Sequence, residues 1–148
     1  MLLAAAAGAA YADFEDTDAQ AARDPDVVAG RQALDAKDWN EAASRFAKAA
    51  LRDPGNADLQ NYLGYSNRHL GRYDSAFEHY RRALAIDPRH KGAHEYIGEA
   101  YLETGDLASA ERHLATLQDL CPLSCEQLED LKRQVVEFRE KKAVAPKR

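Results

Sequence analysis

The sequence is poor in the residues that build sheets. Its 148 residues include five valines, two isoleucines and three threonines, against 29 alanines. β-branched side chains favour strands and alanine favours helix, so this balance argues against a sheet-based fold and for helix. No apolar run reaches the roughly 18 residues that a transmembrane helix needs. Positive charge is not in excess: 20 Lys and Arg stand against 25 Asp and Glu, a net charge of −5, which offers no basic face for nucleic acid. The phosphate-cradling GxxxxGK(S/T), the dinucleotide-binding GxGxxG and the nucleophile elbow GxSxG are all missing. Ser66, Ser75, Ser109 and Ser124 stand in no nucleophile motif, and no isolated carboxylate pair sits in an apolar stretch that would shift its pKa. The sequence therefore predicts no catalytic residue, no cofactor and no metal. The length is that of one domain of about 100–200 residues.

What is present begins with an uncharged segment. Residues 1–12 read MLLAAAAGAAYA, with an apolar stretch from Leu2 to Ala10 and small residues flanking Tyr11. An acidic linker follows over residues 13–22, carrying Asp13, Glu15, Asp16 and Asp18. The apolar stretch and the Ala-Tyr-Ala end resemble a secretory signal peptide, although no Lys or Arg precedes them. The expectation is export to the periplasm or beyond, with no membrane anchor left after cleavage. An alanine-rich N-terminus on a cytoplasmic protein is the alternative. The acidic run of residues 13–26 and the basic run of residues 139–148 are expected to be solvated, mobile tails.

The remainder repeats every 34 residues. Pro54, Pro88 and Pro122 share that spacing, as do Gly30, Gly64 and Gly98, and Ala42, Ala76 and Ala110. Phe46, Tyr80 and Leu114 occupy a further common position. On these residues the chain resembles the tetratricopeptide repeat (TPR) family, in which pairs of antiparallel helices stack on their neighbours. The resemblance implies an all-α solenoid of three helix-turn-helix repeats over residues 23–124, in units 23–56, 57–90 and 91–124. The expected helices are 24–36, 40–52, 57–70, 74–86, 91–104 and 108–120. The Gly and Ala positions allow close helix approach, and each Pro ends a second helix. Gly71 and Gly105 terminate first helices, while Lys37 stands at the equivalent place in the first repeat. Asp74-Ser75 and Asn40-Glu41 are expected to begin second helices. Trp39 reads as a packing residue at the helix turn. Leu128, Leu131, Val135 and Phe138 form one apolar stripe, so residues 125–142 are expected to be a capping helix that covers the last repeat, with a basic tail at 143–148.

The family resemblance also implies a concave groove lined by the first helices. Its expected partner-binding residues are Arg31, Asn61, Tyr62, Tyr65, Arg68, His69, Glu95, Tyr96, Glu99 and Glu103, with Asp24, Val27, Leu34 and Leu102 beside them. The tyrosines are rigid contact residues with a polar tip. Tyr62 is the one most open to a simple packing role. Arginines toward the first half and glutamates at the last suggest a ligand with an acidic and a basic part. Some family members clamp a terminal carboxylate with Lys, Asn and Arg, but the corresponding positions here are Val27, Arg31, Tyr62, Gly92 and Tyr96, so that clamp is absent. The implied function is a non-catalytic adaptor that holds a peptide or protein partner, with a monomer favoured. The alternative is a structural or self-associating subunit of an envelope complex.

Cys121-Pro122-Leu123-Ser124-Cys125 has a C-x3-C spacing, unlike the C-x-x-C of thioredoxin-like sites. Small exported bacterial TPR proteins have a similar Cys-Pro-x-x-Cys-Glu segment before the final helix. The resemblance implies a structural disulfide between Cys121 and Cys125; reduced packing thiols and redox or metal chemistry are the other readings. His90 and His94 have the four-residue spacing of helical metal pairs, but no HExxH surrounds them and ordinary histidines are expected.

Overall fold

The computed structural model describes residues 23–144. The signal-like segment 1–12, the linker 13–22 and residues 145–148 of the tail lie outside the described residues. Among the described residues seven helices follow one another: α1 Pro25–Asp35, α2 Trp39–Arg52, α3 Ala57–His69, α4 Tyr73–Ile86, α5 Lys91–Glu103, α6 Leu107–Leu120 and α7 Glu126–Val144. The six repeat helices start and stop within one residue of the bounds expected from the 34-residue period. The last helix runs two residues past the expected cap, so Ala143 and Val144 are helical.

Local chemistry explains the boundaries. Pro54, Pro88 and Pro122 each fall two residues after the last helical residue of α2, α4 and α6. Proline cannot donate to the next turn and its ring excludes helical geometry before it. Gly71 and Gly105 end α3 and α5 with φ of 71° and 87°, the left-handed conformation that closes a helix. Lys37 adopts it too, with φ 57°, at a cost glycine avoids. We expect Lys37→Gly to raise stability by up to ~1 kcal/mol, the left-handed strain outweighing glycine's extra unfolded-state entropy. Thermal unfolding followed by circular dichroism measures this directly.

The second helices start one residue earlier than expected, and their caps differ from the sequence reading. Asp38 accepts a hydrogen bond from the Glu41 backbone N–H at 3.1 Å, and Asp106 accepts one from Ser109 at 3.0 Å. Neither Asn40-Glu41 nor Asp74-Ser75 supplies the cap. In the second repeat the corresponding residue is Arg72, which makes no side-chain cap hydrogen bond. Asp24 caps α1, Asn56 caps α3 and His90 caps α5.

The helices form two layers. First helices α1, α3 and α5, continued by α7, make the inner layer; α2, α4 and α6 make the outer one. The glycines mark where the layers meet. A Cβ on Gly30 would lie 2.8 Å from the Phe46 ring, and one on Gly64 would lie 2.5 Å from the Tyr80 ring. In the third repeat the ring is replaced by Leu114, and Leu131 of α7 fills the space instead, 2.6 Å from a Cβ on Gly98. The cap therefore completes the third repeat's core as well as covering it. Leu117, Cys121, Leu128, Leu131 and Val135 are buried together there.

Part of the acidic run expected to be a solvated tail is structural. Asp24 and Asp26 both pair with Arg52 at 2.7 Å, and Asp26 also pairs with Arg45 at 3.1 Å. These contacts tie the start of α1 to α2, and the hydrogen bonds from Arg52 hold both carboxyls below their ordinary pKa. At the other end of the chain, Arg139 of the basic run pairs with Glu111 at 2.6 Å.

Candidate functional site

The inner layer brings most of the expected groove residues together, but buries several of them. Arg68, on α3, is 7% exposed. Its guanidinium bonds Glu99 at 2.7 Å and Glu103 at 2.6 Å across to α5. It also lies over the rings of Tyr65 and Tyr96, at 5.3 and 5.8 Å from their centroids. Those two rings contact one another at 4.8 Å. Burial works against the charge on Arg68, but Tyr80, Glu99 and Glu103 outweigh it and keep the guanidinium charged. Arg68 is thus a strut between two repeats, and the first-half positive charge expected for a ligand is largely taken up internally.

Glu99 and Glu95 differ in their surroundings. Burial raises the Glu99 pKa, opposed by Arg68 and by a hydrogen bond from the Gln134 side chain of α7. Glu95 is equally buried, at 7% exposure, yet it makes no ion pair or hydrogen bond among the described residues, and only the charge of Arg68 acts to lower its pKa. Burial first, then the charges of Glu99, Asp130 and Glu126, push it up to about 8. The neighbouring Tyr96 phenol is pushed up as well, by burial and by Glu95. Asn61 on α3 is 5% exposed, and its Oδ1 is enclosed without a hydrogen bond. Its side-chain amide faces Gly92 of α5, where an added Cβ would lie 3.2 Å from Nδ2.

The first repeat meets this cluster through aromatic contacts. Trp39, half-buried, stacks on His69 with centroids 4.2 Å apart and meets Tyr65 edge-on at 5.9 Å. Tyr65 also touches His69 at 4.4 Å. A continuous row therefore runs from Trp39 through His69 and Tyr65 to Tyr96. The packing role read for Trp39 holds, and the residues it packs on are groove residues. Tyr62 stacks on Phe46 at 4.7 Å as part of the first core cluster, with exposed Arg31 over its ring at 5.7 Å. Its main contact is packing between repeats. Asp24 is engaged as a cap and ion-pair partner rather than facing a ligand.

Sequence reasoning missed the wall that α7 gives the groove. Glu126, Asp130 and Gln134 recur every four residues, so they share one helix face. That spacing was legible beside the apolar stripe, and it places Asp130 and Gln134 against the acidic end of the cluster.

The remaining candidate chemistry resolves into local structure. The Cα atoms of Cys121 and Cys125 are 5.8 Å apart, a spacing that a disulfide bridges. His90 accepts the Ala93 N–H at Nδ1, and its other nitrogen donates to Asp58 at 2.8 Å. His94 is buried and donates from Nε2 to the Pro88 carbonyl at 2.9 Å, which leaves Nδ1 to accept from His113 Nδ1–H at 2.9 Å. This proton assignment follows because a carbonyl only accepts. No group of three or more His, Cys, Asp or Glu among the described residues could hold a metal ion.

The histidine pair predicts an acid-sensitive fold. Burial, then His94 and Arg112, push His113 down to about 4. The unfolded chain binds this proton near pH 6.5 and the folded chain does not until about pH 4, so the stability from neutral His113 is present above pH 6.5 and lost as pH falls toward 4. Thermal midpoints from pH 7 to pH 4 are expected to fall, and His113→Gln to flatten that slope.

Comparison with known proteins gives a consistent picture. Two family models, each described as tetratricopeptide repeat, match residues 27–91 and 68–135. The inactive TPR repeat-containing thioredoxin TTL3 of Arabidopsis thaliana is 31% identical over 84 residues, spanning 57% of this chain and only 12% of that protein. Among solved structures, the TPR2B domain of yeast Sti1 in its pHsp70 complex superposes with a TM-score of 0.72 at 15% identity, covering 78% of this chain and 94% of that one. The Yersinia enterocolitica type III secretion chaperone SycD, in complex with a peptide of the translocator YopD, gives 0.67 at 22% identity, covering 76% and 88%.

Proposed function

The chain belongs to the tetratricopeptide repeat family, and from that premise we propose that it is a non-catalytic adaptor that holds a peptide or protein segment in its concave groove. The observation that carries this reading is the preformed row of Trp39, His69, Tyr65 and Tyr96, whose rings are already fixed by contact with one another and with Arg68. Aromatic side chains held in place lose little freedom on association, which favours binding. The solved relatives in complex with pHsp70 and with a YopD peptide support a peptide or protein partner.

We further propose that the protein is exported, periplasmic or secreted, and that Cys121 and Cys125 form a disulfide there. The signal-like residues 1–12 and the Cys121–Cys125 Cα spacing support this reading. The bridge closes a short loop, so it acts mainly to fix the angle of α7 on the third repeat. Thiol titration of denatured, unreduced protein from its native compartment tests it: two free thiols would remove the disulfide.

Affinity capture from a native extract, with mass-spectrometric identification, tests the adaptor reading. Wild type is compared with Tyr65→Ala/Tyr96→Ala at matched helicity. Partners recovered on wild type and lost on the variant support the groove. Equal recovery moves the contact to the outer layer, the cap or the tails.

A further inference from the structure

The concave face holds two buried side chains whose acceptors lack a donor: Asn61, with its Oδ1 enclosed, and Glu95, 7% exposed as a residue. Glu95 lies where α5 and α7 meet, and Glu99, Asp130 and Glu126 all bear on it. The nearest guanidinium, that of Arg68, is already engaged by Glu99 and Glu103. Asp130 has its own partner, Arg133, on the same helix at 2.8 Å. Glu95 is left as a buried carboxylate with no counterion among the described residues. Leaving such a charge unpaired is costly, so near neutral pH the group rests mostly protonated, and a complementary cation returns it to the charged form. The missing group is therefore a donor with positive charge. A metal ion does not fit, because no three ligating side chains converge among the described residues. An organic cation does: the Tyr65 and Tyr96 rings of the same groove already hold the Arg68 guanidinium, and aromatic faces attract ammonium and guanidinium groups.

We propose that the Glu95 site between α5 and α7 receives the side chain of an arginine or lysine in the bound segment. This rests on the groove reading above and adds one required residue to the ligand. The long aliphatic stem of either side chain runs along the Tyr65–Tyr96 pair, while its charged head meets Glu95. The rest of the segment follows the aromatic row toward Trp39.

The test is a selection of random twelve-residue peptides displayed on phage against the full chain, followed by affinities of the enriched peptides for wild type, Glu95→Gln, Glu95→Lys and Tyr65→Ala/Tyr96→Ala. Glu95→Gln keeps the volume and puts a neutral amide where the free chain holds a mostly protonated carboxyl, so it is expected to fold, which thermal melts check. The expected result is a fixed Arg or Lys in the enriched peptides, with affinity falling about thirtyfold on Glu95→Gln and further on Glu95→Lys. Replacing that basic residue by norleucine in the peptide costs as much on wild type and nothing more on Glu95→Gln. Peptides that lose binding on Tyr65→Ala/Tyr96→Ala but share no basic residue, or ignore Glu95→Gln, overturn this proposal and leave the groove reading standing. Peptides indifferent to all the variants, or no enrichment at all, overturn both.

Discussion

Arg68→Met is expected to lower the unfolding free energy by about 3–5 kcal/mol at neutral pH. The reason is what the substitution leaves behind. Glu99 has a side chain only 9% exposed, and Arg68 is the cation that pairs with it. Methionine fills much of the volume but provides no charge, so Glu99 must stay charged without a counterion or take up a proton. Glu103, with a side chain 39% exposed, can turn to water and adds little. The deficit should narrow as pH falls, because a protonated Glu99 suits the variant. A companion Glu99→Gln change should restore most of the loss, since Gln134 can still bond a neutral amide at that place. Urea unfolding followed by helical circular dichroism measures all three proteins. Such a loss is a large share of the 5–15 kcal/mol typical of whole domains. A change below about 1 kcal/mol would mean that the pair is solvated.

Leu131→Ala has a comparable expected effect at the end of the solenoid, about 2–5 kcal/mol. Leu131 is fully buried, and its Cδ atoms occupy the space that Phe46 and Tyr80 fill in the first two repeats. Truncation empties that space and releases the central contact between α7 and α5. Because Asp130 and Gln134 flank Leu131, the acidic end of the groove should loosen with it. Gly98→Ala alone pushes an added Cβ into Leu131, and overpacking of this kind costs about 1–3 kcal/mol. Combined with Leu131→Ala, the same methyl enters vacated space and improves helix propensity by about 1 kcal/mol. The double variant should therefore be more stable than Leu131→Ala alone, a sign change that a loosely packed cap would not produce.

The fold was legible because its markers are backbone requirements. Three prolines, three close-approach glycines and two left-handed glycines recur at one period, and each constrains the chain regardless of its neighbours. The stripe Leu128, Leu131, Val135 and Phe138 identified the cap for a similar reason. The caps of the second helices were less legible, because Asp38 and Asp106 share their position with Arg72, which breaks the pattern. Placement on the inner layer was legible in the sequence, but the state of each residue was not. Repeat position places Arg68, Glu95 and Glu99 on the inner layer, yet their burial depends on α5 and α7 packing over them. The same limit hid the His94–His113 hydrogen bond, which joins residues 19 apart on two helices. Trp39 lies outside the groove positions of its own repeat and enters the row only by reaching His69 and Tyr65 of the next.

The proposed adaptor role makes the inner layer the recognition surface. The most direct measurement is a map of backbone amide chemical-shift changes when an enriched peptide is titrated into the isotopically labelled chain. Changes are expected to centre on Tyr65, His69 and Tyr96 of α3 and α5, extending to Trp39 and to the Asp130–Gln134 face of α7. Changes confined to the outer helices α2, α4 and α6, with that row unmoved, would contradict that role.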